Sequence, residues 1–277
     1  MKRTSDIVSS FYGTLPGRLL LKIFMHLRLD HIVVRFLWSR WSKPLIKWYI
    51  KQNNLPITPN EWKKYNTFRD LFVRTRKTNI VDMTPEHLIS PCDGWLSAFP
   101  IDSHSCFSIK NSYYQLKDFL QDKELAQNYQ NGVCLIFRLC ASDYHHYCYI
   151  DDGFQGQNHY IPGVLHSVQP IACEKYPVYV LNKRCWSLLT TKHFGPVVQC
   201  EIGALIVGGI FNEHENVRFH KGCEKGHFEL AGSTIIMLFE SGQITLKPEI
   251  TNQLIYTTEV RVKQGEWIGN SERTNVK

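Results

Sequence analysis

From about residue 88 onward, Gly, Pro, Asn and Asp cut the chain into short apolar runs, and this texture constrains the fold more than any other feature. The runs cover 95–99, 133–139, 146–150, 160–168, 177–181, 197–210, 234–239 and 254–262. Runs of this length between turn formers read as strands. Helical pattern is brief there, mainly Ser112 to Gln127. Upstream the pattern is different. Thr58-Pro59-Asn60-Glu61 is a helix start: Thr58 caps, Pro59 fits the first position, and Glu61 closes a capping box. The helix is expected to carry Trp62, Tyr65, Phe68 and Phe72 towards Arg74. The expected fold is therefore α+β, with amphipathic helices over residues 1–78 and a mostly antiparallel β body over residues 79–277. A chain of 277 residues can bury a core of that size.

The net charge of +7 is unevenly placed. Residues 1–52 hold ten Lys or Arg and two Asp, which is +8, so the remaining 225 residues sum to about −1. The basic character belongs to the N-terminal arm, which argues against a general nucleic-acid binder. The arm is also apolar and aromatic, but charges interrupt every stretch, and no window holds the 18 uncharged apolar residues of a spanning helix. Lys43, Lys47 and Lys51 recur at four-residue spacing, with Leu37, Trp38, Trp41, Leu45 and Trp48 expected on the opposite side. Such a helix suits a membrane interface with anionic headgroups. The nine cysteines are odd in number and lack a Cys-x-x-Cys pair, so reduced thiols in a cytosolic compartment are expected. No strand–Gly-rich loop–helix pattern for a nucleotide is present.

Gly232-Ser233-Thr234 precedes the apolar run Ile235 to Phe239. A Gly-Ser bond in a tight turn is where a chain can attack itself, because Gly leaves the carbonyl open and tolerates strain. Elimination from the resulting ester leaves a pyruvoyl group made from Ser233. That carbonyl can form a Schiff base with an amine and act as an electron sink. Three further segments carry acid, imidazole and thiol groups. They are Ser90-Pro91-Cys92-Asp93-Gly94, Asp143-Tyr144-His145-His146-Tyr147-Cys148, and Gly163-Val164-Leu165-His166. His166 reads as structural. An acid, an imidazole and a hydroxyl are the parts of a relay that activates a serine. His145, His146 and Cys148 do not have a usual zinc spacing, so no metal is expected.

In this order the segments resemble the phosphatidylserine decarboxylase family over roughly residues 60 to 265. The resemblance rests on Phe68-x-x-x-Phe72-x-Arg74, Ser90-Pro-x-Asp93-Gly94, Asp143-Tyr144-His145 and Gly163-x-Leu165-x-Ser167-Val168-x-Pro170. It continues through Glu201-x-Gly203-Ala204-x-x-Val207-Gly208 and Lys221-Gly222-x-Glu224-x-Gly226-x-Phe228 to Gly232-Ser233-Thr234. It implies self-cleavage between Gly232 and Ser233. The products are a β chain of residues 1–232 and an α chain of 45 residues, 233–277, blocked by a covalent pyruvoyl cofactor. It further implies a Schiff base with phosphatidylserine, loss of carbon dioxide and release of phosphatidylethanolamine, in phospholipid biosynthesis. The expected setting is peripheral, on the cytoplasmic face of a bacterial membrane, with a homodimer as the family assembly. Asp93 is implied in the cleavage relay and His145 near the reacting lipid head.

One departure matters. The family run is Asp-Tyr-His-x-x-His, and its second His is the implied relay base. Here that position is Cys148. Three readings stay open at this point: Cys148 acts as thiolate, His145 or His146 takes over, or the chain is an uncleaved membrane-binding pseudoenzyme. A decarboxylase of a soluble amino acid is the alternative within the enzyme class.

Overall fold

The computed structural model describes residues 10–27, 29–76, 80–109, 112–204, 209–230 and 233–273. The N-terminal region is helical: α1 (Leu15–His26), α2 (Leu29–Leu37), a single 3-10 turn, α3 (Lys43–Asn53), α4 (Pro59–Trp62) and α5 (Phe68–Phe72). Strands follow, β1 (His87–Ile89), β2 (Gly94–Pro100), β3 (Cys106–Ile109), β4 (Ser112–Gln115), β5 (Val133–Leu139), β6 (His146–Cys148), β7 (Gly153–Ile161) and β8 (Arg184–Thr191). The later strands are β9 (Pro196–Ile202), β10 (Gly209–Asn212), β11 (Val217–Phe219), β12 (Glu224–Glu229), β13 (Ser233–Phe239), β14 (Ile244–Leu246), β15 (Val260–Val262) and β16 (Trp267–Ser271). Between them lie only short helices, of which α6 (Pro248–Tyr256) is the longest. The α+β expectation holds.

Eight strands form one antiparallel sheet in the order β11-β7-β8-β9-β13-β5-β2-β15. A three-stranded sheet, β10-β12-β6, carries the segments around His146 and Glu224. The large sheet is covered on both faces. Along β13, Ile236 and Leu238 enter one core, while Ile235, Met237 and Phe239 enter the other. Period-two alternation explains this split, and β5 repeats it with Ile136 against Leu135 and Phe137. All seven residues of β13 are buried.

The helices pack on the body through a third cluster, in which Ile46, Phe68, Leu71 and Phe72 surround Leu230. Leu37 and Leu45 turn inward onto this cluster, which corrects the expected single apolar face. Trp38, Trp41 and Trp48 point outward instead and are 48%, 82% and 60% exposed. Among the described residues, no helix is long and apolar enough to cross a membrane.

Several expected elements change on inspection. The helix from Thr58 forms its Glu61 cap, with the Thr58 amide donating to Glu61 at 2.9 Å, but stops at Trp62. Thr67 starts a new one, its hydroxyl accepting from the Asp70 amide at 3.1 Å. Residues 254–256 end a helix rather than begin a strand. Pro248 starts that helix, and Ile250 and Leu254 reach the core at four-residue spacing. Val178–Leu181 is also helical. Beyond Ile161, Pro162 has no amide to continue the ladder. Ser112 to Gln127 opens as a strand before two short helices. The run 197–210 ends as a strand at Ile202 and resumes in the other sheet at Gly209; residues 205–208 lie outside the described residues.

A buried ion pair joins the two sheets. Lys225 on β12 donates to Glu201 on β9 at 2.9 Å and to Asn212 at 3.0 Å, and both charged side chains are fully buried. Breaking such a pair strands a charge in a low-dielectric interior. Lys225→Met is therefore expected to cost about 3–5 kcal/mol, and Lys225→Met with Glu201→Gln to recover most of it. The urea midpoints of the two variants against the parent chain check this.

Candidate active site

The Gly232–Ser233 step is bracketed by two backbone contacts. Ser233, the first residue of β13, pairs with Leu139, the last residue of β5. Five residues before Ser233, the Phe228 amide donates to the carbonyl of His145 at 2.9 Å. The two ends of the Leu139–His145 loop therefore lie beside Ser233 and Phe228. Gly232, expected as the first residue of the cleavage site, lies outside the described residues. Leu230 is described, and it is left-handed, with φ 67°. A leucine in that region costs roughly 1–2 kcal/mol, which its packing under the N-terminal helices offsets.

Ser233 is fully buried, and its Oγ has no hydrogen-bond partner among the described residues. Alternation along β13 puts it on the face of Ile235, Met237 and Phe239, the core that also holds Tyr147 and Cys148. Buried hydroxyls are mostly satisfied, and Ser233 Oγ is one of several that are not, among the described residues.

His145 is fully buried and lies against Phe72 of α5, ring centroids 4.1 Å apart. Its Nδ1 is 2.9 Å from the Asp143 carbonyl. A carbonyl only accepts, so the proton sits on Nδ1 and the lone pair on Nε2. Nε2 has no partner among the described residues. Burial pushes the imidazole down to about 4, against the opposing pull of Asp143. It is a neutral base with an unused lone pair.

His146 and Cys148 differ from it. His146 Nδ1 faces Glu224 Oε1 at 2.5 Å and Nε2 faces the Val73 carbonyl at 3.1 Å. Both neighbours are acceptors, so both nitrogens are engaged. Cys148 is buried with its sulfur 4.0 Å from the Ser90 carbonyl, and burial pushes the thiol up to about 12. It stays protonated at neutral pH.

Asp93 sits just before β2, beside the end of β5. Two guanidinium nitrogens of Arg76 and the Gln264 amide, at 3.0 Å, hold its carboxylate. Burial alone would raise this group; the Arg76 and Gln264 bonds and nearby Arg261 outweigh it and hold it below the usual carboxylate range. No hydrogen bond among the described residues joins Asp93 to His145 or His146. Asp143 is gripped by Arg261 at 2.5 and 3.0 Å and accepts from the Cys140 amide at 2.7 Å, which fixes the loop that presents His145. His166 is elsewhere, bonded to Tyr12 at 3.3 Å and stacked on Tyr176.

Arg76, Arg261 and Phe72 escape a sequence reading as site residues. Only the Phe72-x-Arg74-x-Arg76 run hints at them, and Arg261 comes from a strand 118 positions beyond its partner. A cavity of about 650 Å³ opens between the helices and the body. Phe24, Val34 and Trp38 line one wall, and Gly163, Lys183 and Leu230 the other.

Residues 66–270 match the family model for phosphatidylserine decarboxylase. The chain is 41% identical over 263 residues to phosphatidylserine decarboxylase proenzyme 2 of Clostridium acetobutylicum, spanning 94% of this chain and 90% of the relative. It is 37% identical over 249 residues to the phosphatidylserine decarboxylase proenzyme of Clostridium tetani, spanning 87% and 83%. The corresponding proenzyme of Clostridium perfringens is 34% identical over 267 residues, 94% and 91% of the two chains. The chain belongs to the phosphatidylserine decarboxylase family.

Proposed function

We propose that this chain cleaves itself between Gly232 and Ser233, and that the two-chain product decarboxylates phosphatidylserine to phosphatidylethanolamine at a membrane surface. The observation that carries the reading is the buried Ser233 Oγ at the start of β13 together with His145 Nε2, neither of which has a hydrogen-bond partner among the described residues. We assign the relay base to His145. It alone of the three candidates combines a free lone pair with neutrality; His146 is engaged at both nitrogens, and the Cys148 thiol is pushed up to about 12.

In maturation His145 Nε2 takes the Ser233 hydroxyl proton as Oγ adds to the Gly232 carbonyl carbon. The same proton goes to the departing peptide nitrogen, leaving an ester. Loss of the Ser233 α-proton then expels Gly232 as a carboxylate. The resulting dehydroalanine tautomerises, takes up water and releases ammonia, which leaves the pyruvoyl end. That group supplies a carbonyl able to accept the electrons freed when carbon dioxide departs. Asp93, held by Arg76, shapes the floor of the site electrostatically. His145 holds its proton-accepting Nε2 towards the interior, where water is excluded. The exposed tryptophans and lysines of the helices dock on an anionic bilayer. The cavity beside Leu230 receives the lipid from it. Residues 1–78 serve as docking region and residues 79–277 as catalytic body, on the cytoplasmic face of the cell membrane.

Intact mass separates the outcomes. The parent chain is expected as two pieces split after Gly232, and Ser233→Ala as one piece without activity. His145→Asn is expected to slow cleavage by roughly 10²–10⁴-fold, the usual contribution of a general base, while Cys148→Ser cleaves like the parent. The reverse pattern would move the base to Cys148.

The titration of His145 has a sign that can be measured. Its folded value, about 4, lies below the ordinary 6.5, so the unfolded chain takes up the proton first as pH falls. The stability it contributes is whole above pH 6.5 and is lost between 6.5 and about 4. Urea midpoints across that window are expected to fall in the parent and to fall less in His145→Gln.

Vesicle binding tests the docking surface. Trp41→Ser with Trp48→Ser is expected to weaken sedimentation with vesicles containing anionic lipid by roughly tenfold, since each indole loses apolar burial.

A further inference from the structure

β12 is not a regular strand. Its pairing with β6 slips between Glu224 and Gly226, so one extra residue, Lys225, is accommodated in a bulge. In a regular strand residues 224 and 227 point to opposite faces; the bulge brings them to the same one. His227 lies directly across from His146. The two imidazoles stack with centroids 4.9 Å apart, and Glu224 reaches both of them.

Three ligand atoms meet there. His146 Nδ1 is 2.5 Å and His227 Nδ1 3.9 Å from Glu224 Oε1, and all three lie within 4.8 Å of one another. His146 gives its other ring proton to the Val73 carbonyl at 3.1 Å. That outer bond is the one a metal-bound histidine usually makes, and it turns the Nδ1 lone pair towards Glu224. Something positive must lie between that lone pair and a carboxylate. A proton serves His146 alone. His227 Nδ1, enclosed and without a hydrogen-bond partner among the described residues, is left over.

We propose that His146, Glu224 and His227 form a binding site for a divalent transition metal of the zinc class. Two imidazoles and one carboxylate suit zinc, cobalt or nickel better than magnesium or calcium. Bonds of 2.0–2.1 Å in a tetrahedron place ligand atoms about 3.4 Å apart, between the two separations seen here. A rotation of Glu224 from His146 towards His227 equalises them. The Glu224 side chain is 36% exposed, so an ion has a way in and an open fourth position. The bound ion would clamp β6 to β12, one residue from His145. The binding itself does not depend on the decarboxylase reading.

Cobalt(II) is the probe, added to tag-free, chelator-treated full-length chain and followed by visible absorption. One equivalent with four-coordinate bands, displaced by zinc, is expected. Glu224→Gln and His227→Ala, each shown to be folded by its thermal midpoint, are expected to weaken binding tenfold or more. Cys223, the exposed neighbour, is the competing ligand. Cys223→Ser is therefore expected to bind like the parent, with no thiolate charge-transfer band in either. Absence of saturable binding, binding that survives both substitutions, or binding lost in Cys223→Ser would each overturn the site.

Discussion

Strand Ser233–Phe239 is hydrogen-bonded on both sides and buried on both faces, and the rest of the molecule is arranged around that fact. A strand so placed is rigid, since every amide is paired and every side chain packed. Its first residue inherits the rigidity without the apolar chemistry. Ser233 is thus a hydroxyl held still at the edge of a dry interior. A mobile loop could present the same serine, but not in one orientation.

Ser233 Oγ and Thr234 Oγ1, where this strand begins, and His145 Nε2 are among the buried polar atoms that have no hydrogen-bond partner among the described residues. Each is a cost to folding of about 1–3 kcal/mol. Together with the left-handed Leu230, the two at the head of β13 are local costs next to the strand's start. The surroundings offset this with strong contacts nearby. Arg261 fastens Asp143, Arg76 fastens Asp93, and the Lys225–Glu201 pair ties β12 to the sheet that contains β13. Charge-assisted bonds of this kind hold backbone in place, and here they hold segments that neighbour β13 and β12.

The sequence discloses the parts that obey a local rule. The strand cores at 133–139 and 234–239 are plain because alternation and burial on both faces give unbroken apolar runs. The Glu61 cap at Thr58 is plain because its geometry is contained in four residues. What stays hidden needs partners far along the chain. β8 is obscured because Ser187, Thr190 and Thr191 interrupt its hydrophobicity. Residues 254–256 look like a strand because only packing shows Ile250 and Leu254 on one helical face. The roles of Asp93 and Asp143 are the clearest case. Both are visible as acids beside a turn, but their guanidinium partners, Arg76 and Arg261, are invisible until the fold closes.

The same reasoning supports the choice of base proposed for the question that Cys148 leaves open at the level of sequence. Three neighbouring side chains offer themselves as a base, and nothing in their order distinguishes them. Environment does. Strand β6 turns Cys148 into the apolar core, where desolvation outweighs the pull of Lys221 and keeps the proton on sulfur. It turns His146 towards a carboxylate and a carbonyl, which use both nitrogens. His145 stands just before the strand, and one backbone carbonyl fixes its tautomer while Phe72 covers its ring. Proton acceptance needs an available lone pair more than it needs a particular position in a motif. Where a position loses its imidazole, an adjacent one already desolvated and already oriented can supply the lone pair without any change to the backbone.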